Sequence, residues 1–306
     1  PYTTLFRSFQ FCENGAKAVT WEATSKRVTP EFLAQNTVTS LLQKTDYELE
    51  DYGRLTTPLI YDAGTDTLRP LAWDEAFQRI AAVLQTLPPE QVEFYTSGRA
   101  SNEAAYLFQL VAREFGSNNF PDCSNMCHEP TSVGLPQSIG IGKGTVSLDD
   151  FDSAELIISI GHNPGTNHPR MMGTLHELAR KKVPIIVFNP LRERALERFT
   201  DPQNVIEMAT YSSTPIASTY YQVKAGGDAA ALKGIAKALL QLNETQGHAV
   251  DHAFIAEHTE GFAAFAADLA ATRWEAIEVE SGLTRQDLEQ VAAAYAKSNA
   301  TIVTYG

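Results

Sequence analysis

Two stretches in the first half of the chain place apolar residues at helical spacing. In residues 74–87 they recur every three or four positions behind an acidic first turn, which is typical of an amphipathic helix. A second such pattern ends at Phe115, and Gly116 follows it as a helix stop. The short apolar run at 92–96 predicts a strand. We therefore predict a helix, a strand and a second helix in this region.

The most regular pattern lies in the second half of the chain. Residues 154–160 are continuously apolar, as expected for a central parallel strand that is covered on both faces. A helical pattern over 169–181 and a second apolar run over 183–188 complete a βαβ unit. The polar loops at 161–169 and 189–192 then lie at the carboxyl edge of one sheet, where ligands of such folds bind.

Further segments extend this α/β pattern. A short strand over 221–224 leads into a helix that starts within 225–232, and a helix over 284–297 leads to a strand at Ile302. Earlier in the chain, Gly-Thr-Asp at 64–66 predicts a hairpin turn. The predicted fold class is α/β with Rossmann-like parallel sheets.

Composition and charge narrow the function. With 306 residues and 43% hydrophobic content, the chain can bury one large core or two ordinary ones. No apolar run reaches the length of a membrane span, and the net charge of −13 argues against non-specific nucleic-acid binding. Three cysteines do not make a disulfide framework, which favours a reducing compartment, so we predict a cytoplasmic protein.

Two of the three cysteines, Cys123 and Cys127, lie in one polar stretch. A helix that begins at Pro130 places Cys127 and His128 just before its N-terminus, where unpaired N–H groups favour an anion and lower the pKa of a thiol. Thiolate is the metal-binding form, so one interpretation makes Cys127 a metal ligand. The other is a pair of small buried residues in a loop, because the spacing does not form a zinc pattern.

The turn that follows the strand predicted at 92–96 is a second candidate site. A strand, a Gly-containing turn and a helix place backbone N–H groups where anionic cofactors bind. The candidate contacts are Ser97, Gly98, Arg99 and Asn102. The alternative is an ordinary helix cap with Arg99 exposed.

Three runs, at 95–103, 116–119 and 127–130, together resemble the molybdopterin oxidoreductases of the formate dehydrogenase alpha-subunit type. The resemblance implies that Cys127 is the protein ligand to molybdenum (or tungsten), held between two molybdopterin guanine dinucleotides, and that His128 is catalytic. The sequence has Cys-His-Glu-Pro where the formate enzymes have Cys-His-Gly-Pro. It is therefore more similar to a side branch of the family, in which the run at 11–18 also recurs.

The same resemblance extends into the second half, where a Gly-x-Asn-Pro-x4-Pro loop and an Asn-Pro-x-Arg loop match the dinucleotide-binding pattern of the family. It implies that one guanine dinucleotide contacts Gly161, Asn163, Thr166, Asn167, Asn189, Arg192, Gly227 and Asp228. Asn189 stands where aspartate is commoner, and Asp228 is also a natural helix cap. His162, His168 and His176 are predicted to be surface or capping residues, and His248, His252 and His258 to lie on a solvated helix.

The resemblance also implies a domain organisation. It implies the remnant of an iron-sulfur domain and linker at 9–70, the first part of a pterin-binding domain at 71–145, and an incomplete Rossmann-like dinucleotide-binding domain at 146–306, in a chain truncated at both ends. Residues 1–8 by themselves read like a translated sequencing adapter, so we predict that they are an artefact. Cys12 is then one ligand of a 4Fe-4S cluster of the full-length protein, since a single thiolate cannot hold such a cluster. Lys17 is either the lysine between cluster and pterin or a solvated surface lysine.

The resemblance predicts a redox enzyme whose metal-pterin centre takes electrons from a small-molecule substrate, through a formate-type mechanism. The electrons pass to the iron-sulfur cluster and on to an acceptor protein or subunit. The alternative is a degenerate, non-catalytic homologue that acts as an electron-transfer scaffold or interaction subunit. A nicotinamide dehydrogenase is disfavoured, because no Gly-x-Gly-x-x-Gly follows an early strand.

Overall fold

The computed structural model describes residues 13–96, 100–121 and 124–306. For Glu13, Asn14, Lys17, Met126 and Cys127, the description covers the backbone only. The described residues divide into two compact units, 13–143 and 144–306.

The unit of residues 13–143 combines short helices with two small two-stranded sheets. Its described helices are α1 (Glu13–Glu22), α2 (Pro30–Gln35), α3 (Val38–Leu41), α4 (Asp46–Asp51), α5 (Trp73–Leu84), α6 (Asn102–Phe115) and α7 (Glu129–Ile139). Its described strands are β1 (Arg27–Val28), β2 (Arg54–Leu55), β3 (Leu59–Asp62) and β4 (Thr67–Pro70). β1 pairs with β2 in parallel, and β3 pairs with β4 as the antiparallel hairpin that the turn at 64–66 predicts.

The two predicted helices of this unit are confirmed as α5 and α6. The Ser101 hydroxyl accepts a hydrogen bond from the Ala104 N–H and so caps the first turn of α6, while Gly116 ends the helix in the left-handed conformation with φ +98°. Apolar side chains such as Phe77 and Ile80 on α5 are nevertheless more than half exposed. Helical spacing predicted these helices correctly but did not predict burial.

The strand predicted at 92–96 is wrong. The Phe94 N–H donates to the carbonyl oxygen of Asn119 (2.9 Å), a loop residue, and the Phe94 ring packs against Phe108, Phe115 and Phe120. A strand needs the edge of a neighbouring strand to pair with. Here a loop and an aromatic cluster take that place, so the apolar run stays irregular.

The helix predicted to start at Pro130 is confirmed to within one residue. A π-helical turn at Ser124–His128 runs directly into α7, and Pro130 occupies the first turn of α7, where its missing N–H costs no hydrogen bond. His128 is thus the residue that immediately precedes an α-helix.

The unit of residues 144–306 is built on a parallel sheet. Its described strands are β5 (Leu156–Ile160), β6 (Ile185–Phe188), β7 (Arg198–Phe199), β8 (Thr214–Pro215), β9 (Thr219–Tyr221) and β10 (Thr301–Tyr305). Its described helices are α8 (Pro164–Asn167), α9 (Pro169–Arg180), α10 (Arg194–Glu197), α11 (Val205–Thr210), α12 (Asp228–Gln246), α13 (His252–His258), α14 (Phe262–Ala271), α15 (Trp274–Ser281) and α16 (Arg285–Ala296).

Four strands form the sheet in the order β10-β5-β6-β9, and all neighbours are parallel. From β5 the chain steps outward to β6 and then β9, and it returns at the end to place β10 on the other side of β5. The order therefore reverses between β5 and β10. In open α/β sheets, ligands bind in the crevice outside the carboxyl ends of the strands at such a switch point.

Both faces of this sheet are covered by apolar residues. On one face, Ile158 and Phe188 pack against Ile235 of α12 and Leu288 of α16. On the other face the core contains Ile157, Ile185, Met172, Leu175 and Ile302. All five residues of β5 are buried, as the continuous apolar run predicts. Burying each large aliphatic side chain contributes roughly 1.5–3 kcal/mol, so the two layers fix the sheet that carries the loops.

None of the helices in the described ranges is both long enough and apolar enough to pass through a membrane.

Candidate functional site

The polar loops that follow β5 and β6 meet at the carboxyl edge of the sheet. The loop after β5 begins at Gly161, whose φ of +71° suits glycine and whose N–H donates to the Phe188 carbonyl oxygen at the end of β6 (2.8 Å). The Asn189 N–H in turn donates to the carbonyl oxygen of Tyr221 at the end of β9 (3.1 Å). Backbone bonds thus hold three successive strand ends in one row.

The side chain of Asn189 joins two of these loops. It is 4% exposed, its Nδ2 donates to the carbonyl oxygen of His162 (3.2 Å), and its Oδ1 accepts from the Leu191 N–H (3.0 Å). An aspartate at this position lacks the donor that reaches His162. The amide of Asn189 therefore has a local structural role.

Asn163 presents a buried acceptor at the same edge. Its Nδ2 donates to the Glu193 carboxylate (2.8 Å), whereas its Oδ1 is buried and has no hydrogen-bond partner among the described residues. Leaving a buried acceptor unpaired costs about 1–3 kcal/mol, so such an atom marks a place for a donor from a ligand or from water. Glu193 was not a predicted site residue, although it directly follows Arg192.

Tyr220 organises the loop that carries Arg192 and Glu193. Its hydroxyl donates to the Leu191 carbonyl oxygen (2.6 Å) and accepts from the Glu193 N–H (3.0 Å). Burial raises the pKa of Tyr220, and the charges of Glu193 and Glu197 raise it further. The sequence pattern gave no sign of this role, because Tyr220 lies in a strand 27 positions from Glu193.

Arg192 is exposed and already has an anionic partner. Its Nε lies 2.6 Å from Glu197 Oε1, and its guanidinium lies 5.3 Å from the centre of the Tyr220 ring. A phosphate at this edge can bind Arg192 only by competing with Glu197, which exposed ion pairs permit at little cost.

Thr166 and Asn167 lie in the single helical turn α8, on the exposed side of the same loop. Gly165, between Asn163 and Thr166, is fixed by close packing: a Cβ atom there would lie 2.3 Å from the Ala195 Cβ of α10. The predicted contact residues 161–167 are therefore held against the loop after β6.

Gly227 and Asp228 follow β9 and start α12. Gly227 is buried, and a Cβ atom on it would lie 2.6 Å from the Glu280 carbonyl oxygen, so packing against α15 accounts for the glycine. Asp228 is the first residue of α12, and its Oδ1 is buried without a partner in the described part of the chain. It is a second unpaired acceptor in this unit.

The prediction that His162 and His176 lie on the surface or cap helices is wrong, since they are 8% and 2% exposed. Nε2 of His162 lies 2.9 Å from Ser159 Oγ and 3.1 Å from Thr304 Oγ1. Burial lowers the pKa of His162, and His168 lowers it further. Nε2 of His176 lies 2.8 Å from Glu207 Oε1. Each ring has a polar partner from a segment distant in the sequence, Thr304 for His162 and Glu207 for His176, which compensates for its burial. Local spacing does not reveal such partners.

The other histidine predictions agree with the structure in exposure, but His248 lies in the loop between α12 and α13 and not on a helix. His168 is exposed in the loop, and His248, His252 and His258 are exposed around α13. In the described residues, no group of three or more His, Cys, Asp or Glu side chains is placed to hold a metal ion.

The remaining predicted residues belong to the unit of residues 13–143 or to its undescribed neighbours. Asn102 is exposed at the first position of α6, and His128 is exposed at the end of the π-helical turn. The backbone of Cys127 lies in that turn and the backbone of Lys17 lies in α1. The others lie outside the described residues: Cys12, Ser97, Gly98 and Arg99.

The parallel sheet and the helices that cover it define an α/β protein with a Rossmann-like sheet. The family model for molybdopterin oxidoreductase matches residues 54–221, which is more than half of the sequence. The chain belongs to the molybdopterin oxidoreductase family. The resemblance found in the sequence is thereby confirmed, and membership implies a molybdopterin cofactor.

Three relatives describe its position within that family. Protein YdeP of Escherichia coli (strain K12) is 55% identical over 305 residues, 98% of this chain and 40% of that protein. An uncharacterized oxidoreductase of Mycobacterium tuberculosis is 43% identical over 97% of this chain and 38% of that protein. Formate dehydrogenase H of E. coli is 28% identical over 83% of this chain and 33% of that protein. The chain spans about 40% of the length of the first of these relatives.

Proposed function

We propose that this chain is part of the catalytic subunit of a molybdenum- or tungsten-dependent, formate dehydrogenase-like oxidoreductase that binds bis(molybdopterin guanine dinucleotide). The observation that carries the proposal is the buried Asn163 Oδ1, which has no hydrogen-bond partner in the described part of the chain and lies at the switch-point edge of a sheet in a member of this family. The unit of residues 144–306 holds one guanine dinucleotide at this edge.

The polar atoms of the edge suit guanine. Guanine presents an N2 amine that donates hydrogen bonds, and Asn163 Oδ1 and Asp228 Oδ1 are buried acceptors without partners in the described structure. Pairing either acceptor removes a desolvation cost of about 1–3 kcal/mol. Gly161, Thr166, Asn167, Asn189, Arg192 and Gly227 complete the proposed set. Arg192 reaches a phosphate after leaving Glu197, and Asn189 keeps the loop of Asn163 in place.

In the other unit, the proposed contacts are Ser97, Gly98, Arg99 and Asn102, and the proposed metal ligand is Cys127. Its backbone lies in the turn that enters α7. Free N–H groups at a helix N-terminus favour a thiolate over a thiol. When bound, the metal-pterin group supplies a centre that accepts electrons from the substrate. The adjacent His128 is exposed, and we propose that its imidazole takes part in transferring a substrate proton.

Electrons leave the centre, in this proposal, through a 4Fe-4S cluster of the whole protein, to which Cys12 contributes one thiolate and beside which Lys17 lies. An acceptor protein or subunit takes them from there. Three cysteines in 306 residues support a reducing compartment, and we propose the cytoplasm. The substrate is a small molecule. Formate is one candidate, which Glu129 in the Cys-His-Glu-Pro run makes less favoured than for enzymes with glycine there.

The test is an analysis of the full-length parent protein, purified without oxygen. We expect about one molybdenum or tungsten atom per chain together with pterin guanine dinucleotide. Cys127→Ser should remove one sulfur ligand from the metal in X-ray absorption spectra, while Cys123→Ser, four positions away, should leave the spectrum unchanged. A parent that carries neither metal nor pterin would reject the enzyme and support the non-catalytic scaffold.

A second variant tests the sheet edge separately. Asn163→Leu removes the unpaired acceptor, so we expect the guanine dinucleotide content of the purified parent to fall by about tenfold, the equivalent of roughly one lost hydrogen bond. Asn299→Ala is the matched control, because the Asn299 side chain donates through Nδ2 to Glu155 Oε2 (3.3 Å) at the opposite end of the sheet. Equal dinucleotide contents in the two variants would remove Asn163 from the site.

A further inference from the structure

His162 occupies the point at which the order of the strands reverses. Its Nε2 lies between two hydroxyls, Ser159 Oγ on β5 (2.9 Å) and Thr304 Oγ1 on β10 (3.1 Å). Thr304 and Ser159 are register partners in the parallel pair β10–β5, so their side chains stand side by side on one face. The imidazole therefore joins β5 to β10. Ser159 lies 3 positions from His162 in the sequence, and Thr304 lies 142 positions from it.

The backbone around His162 is equally constrained. A Cβ atom on Gly306 would lie 2.4 Å from the His162 Cβ, and the Gly306 N–H donates to the Ile160 carbonyl oxygen (3.2 Å). On the opposite side, the carbonyl oxygen of His162 accepts from Asn189 Nδ2 (3.2 Å). The residue is thus attached to β10 through its ring and its close packing, and to the loop after β6 through its carbonyl group.

The next residue after His162 is Asn163, whose buried Oδ1 has no hydrogen-bond partner among the described residues. Its Nδ2 is held by Glu193 from the loop after β6. If the loop after β5 moves away from β10, the peptide that links His162 to Asn163 moves with it, and Oδ1 is displaced from its place at the carboxyl edge of the sheet. A shift of about 1 Å is enough to lose a well-aligned hydrogen bond to a ligand.

We propose that His162 is a positioning residue for the guanine dinucleotide: by bonding to Ser159 and Thr304 it locks the loop of residues 161–167 to the end of β10 and so fixes the position of Asn163 at the carboxyl edge of the sheet. The dinucleotide part of this proposal rests on the proposed function. The lock itself is a property of this chain alone, because every contact that forms it joins residues of this chain.

The lock is measured by amide hydrogen exchange of the full-length parent protein, with and without its cofactor. His162→Phe keeps an aromatic ring and removes the nitrogen, and Thr304→Val keeps His162 and removes one hydroxyl. We expect both variants to speed exchange of the amides within 161–167 and at Gly306 by about five- to tenfold, as the loss of one or two hydrogen bonds predicts. The matched controls are His168→Gln, an exposed histidine of the same loop, and Thr301→Val, whose hydroxyl bonds to Ser298 instead.

Positioning is then measured as the rate at which bound dinucleotide leaves the parent on dilution, followed by the pterin fluorescence of the filtrate. We expect His162→Phe and Thr304→Val to release it about five- to tenfold faster than the parent, and both controls to match the parent. His162→Gln retains a side-chain amide and should recover part of the loss. If His162 had only a structural role, the release rates would follow the thermal stabilities of the variants and not the presence of a hydrogen-bonding group.

The outcomes separate this inference from the proposed function. Unchanged amide exchange in both His162→Phe and Thr304→Val would reject the lock. Faster amide exchange with an unchanged rate of dinucleotide release would reject the positioning role. If the parent carries no pterin, the proposed function and the dinucleotide role both fail, while the exchange data still accept or reject the lock. Should His162→Phe not fold, Thr304→Val decides each question by itself.

Discussion

The side-chain amide of Asn189 donates to the backbone carbonyl oxygen of His162 across 3.2 Å, in a place where Asn189 is only 4% exposed. The loop after β6 is thereby hydrogen-bonded to the loop after β5. Asn189 uses its second polar atom as well, since Oδ1 accepts from the Leu191 N–H (3.0 Å). A buried hydrogen bond therefore joins the two loops that the sequence predicts to form one ligand site.

Replacing Asn189 with aspartate tests this connection. Asn189→Asp changes the donor at Nδ2 into an acceptor that faces the His162 carbonyl oxygen, so two buried acceptors oppose each other. We expect the free energy of unfolding to fall by about 1–3 kcal/mol in urea titrations. Asn167→Asp, an exposed change in the neighbouring loop, is the control and should alter it by less than about 0.5 kcal/mol. Similar values for the two variants would contradict the connection.

A buried pair away from the crevice predicts a dependence on pH. Burial by itself raises the pKa of Glu207, but the hydrogen bond from the Asp201 N–H (2.9 Å) and the contact with His176 (2.8 Å) hold the pKa below its ordinary value of 4.5. A lowered folded pKa means that the carboxylate stabilises the fold fully above pH 4.5 and loses this contribution as the pH falls through the lowered value.

The measurement compares the chain with Glu207→Gln from pH 7 downward. At neutral pH the variant should be less stable by about 1.5–3 kcal/mol, because hydrogen bonds to a charged group are lost. As the pH falls below the ordinary pKa of 4.5, the difference in stability should shrink. Glu244→Gln changes an exposed carboxylate and should give a small difference at every pH. A difference that stays constant on acidification would show that the carboxylate charge has no part in this stability.

The sequence predicted the sheet and its edge because their signals are local. The apolar runs at 154–160 and 183–188 are long enough to require burial on both faces, and they became β5 and β6. The connections within the edge escaped prediction, because each joins residues far apart in the chain. Asn163 and Glu193 are separated by 30 positions, and His162 and Thr304 by 142.

The failure at 92–96 has a related cause. Its apolar residues fit a strand by themselves, but a strand exists only with a partner edge, and here Asn119 of a loop takes the Phe94 N–H. The exposed apolar faces of α5 and α6 show the same limit, since helical period predicts which residues share a face and not what covers that face. Predictions from residue types were therefore more reliable for elements than for contacts.

A lysine in α12 offers a test of how the helices that cover the sheet are fixed. Lys237 is buried, and its Nζ donates to the carbonyl oxygens of Leu269 (2.7 Å) and Ala270 (3.1 Å) at the end of α14. Lys237→Met removes both bonds, so we expect the free energy of unfolding in guanidinium to fall by about 1–2 kcal/mol. Lys233→Met, one turn earlier, breaks only the exposed pair with Asp268 and should cost less than about 0.5 kcal/mol. Equal costs would mean that the buried ammonium does not cap α14.

The packing of Gly165 links stability to the proposed site. A methyl group at this position would lie 2.3 Å from the Ala195 Cβ, so Gly165→Ala should force α8 away from α10 and lower the free energy of unfolding by about 1–3 kcal/mol. Gly173→Ala has the opposite expectation. Nothing lies within 4 Å of the added methyl group inside α9, and the alanine should stabilise the chain by about 0.5–1 kcal/mol.

The clash itself is tested by a second change. Ala195→Gly removes the opposing methyl group, so the double variant Gly165→Ala, Ala195→Gly should recover most of the stability that Gly165→Ala loses, apart from the helical cost of a new glycine, about 1 kcal/mol. In the full-length parent, we expect the double variant to contain more dinucleotide than Gly165→Ala alone, because α8 carries Thr166 and Asn167 back to the edge of the sheet. Additive losses in the double variant would instead show that the two residues do not meet, and that the loop of residues 161–167 is held by other contacts.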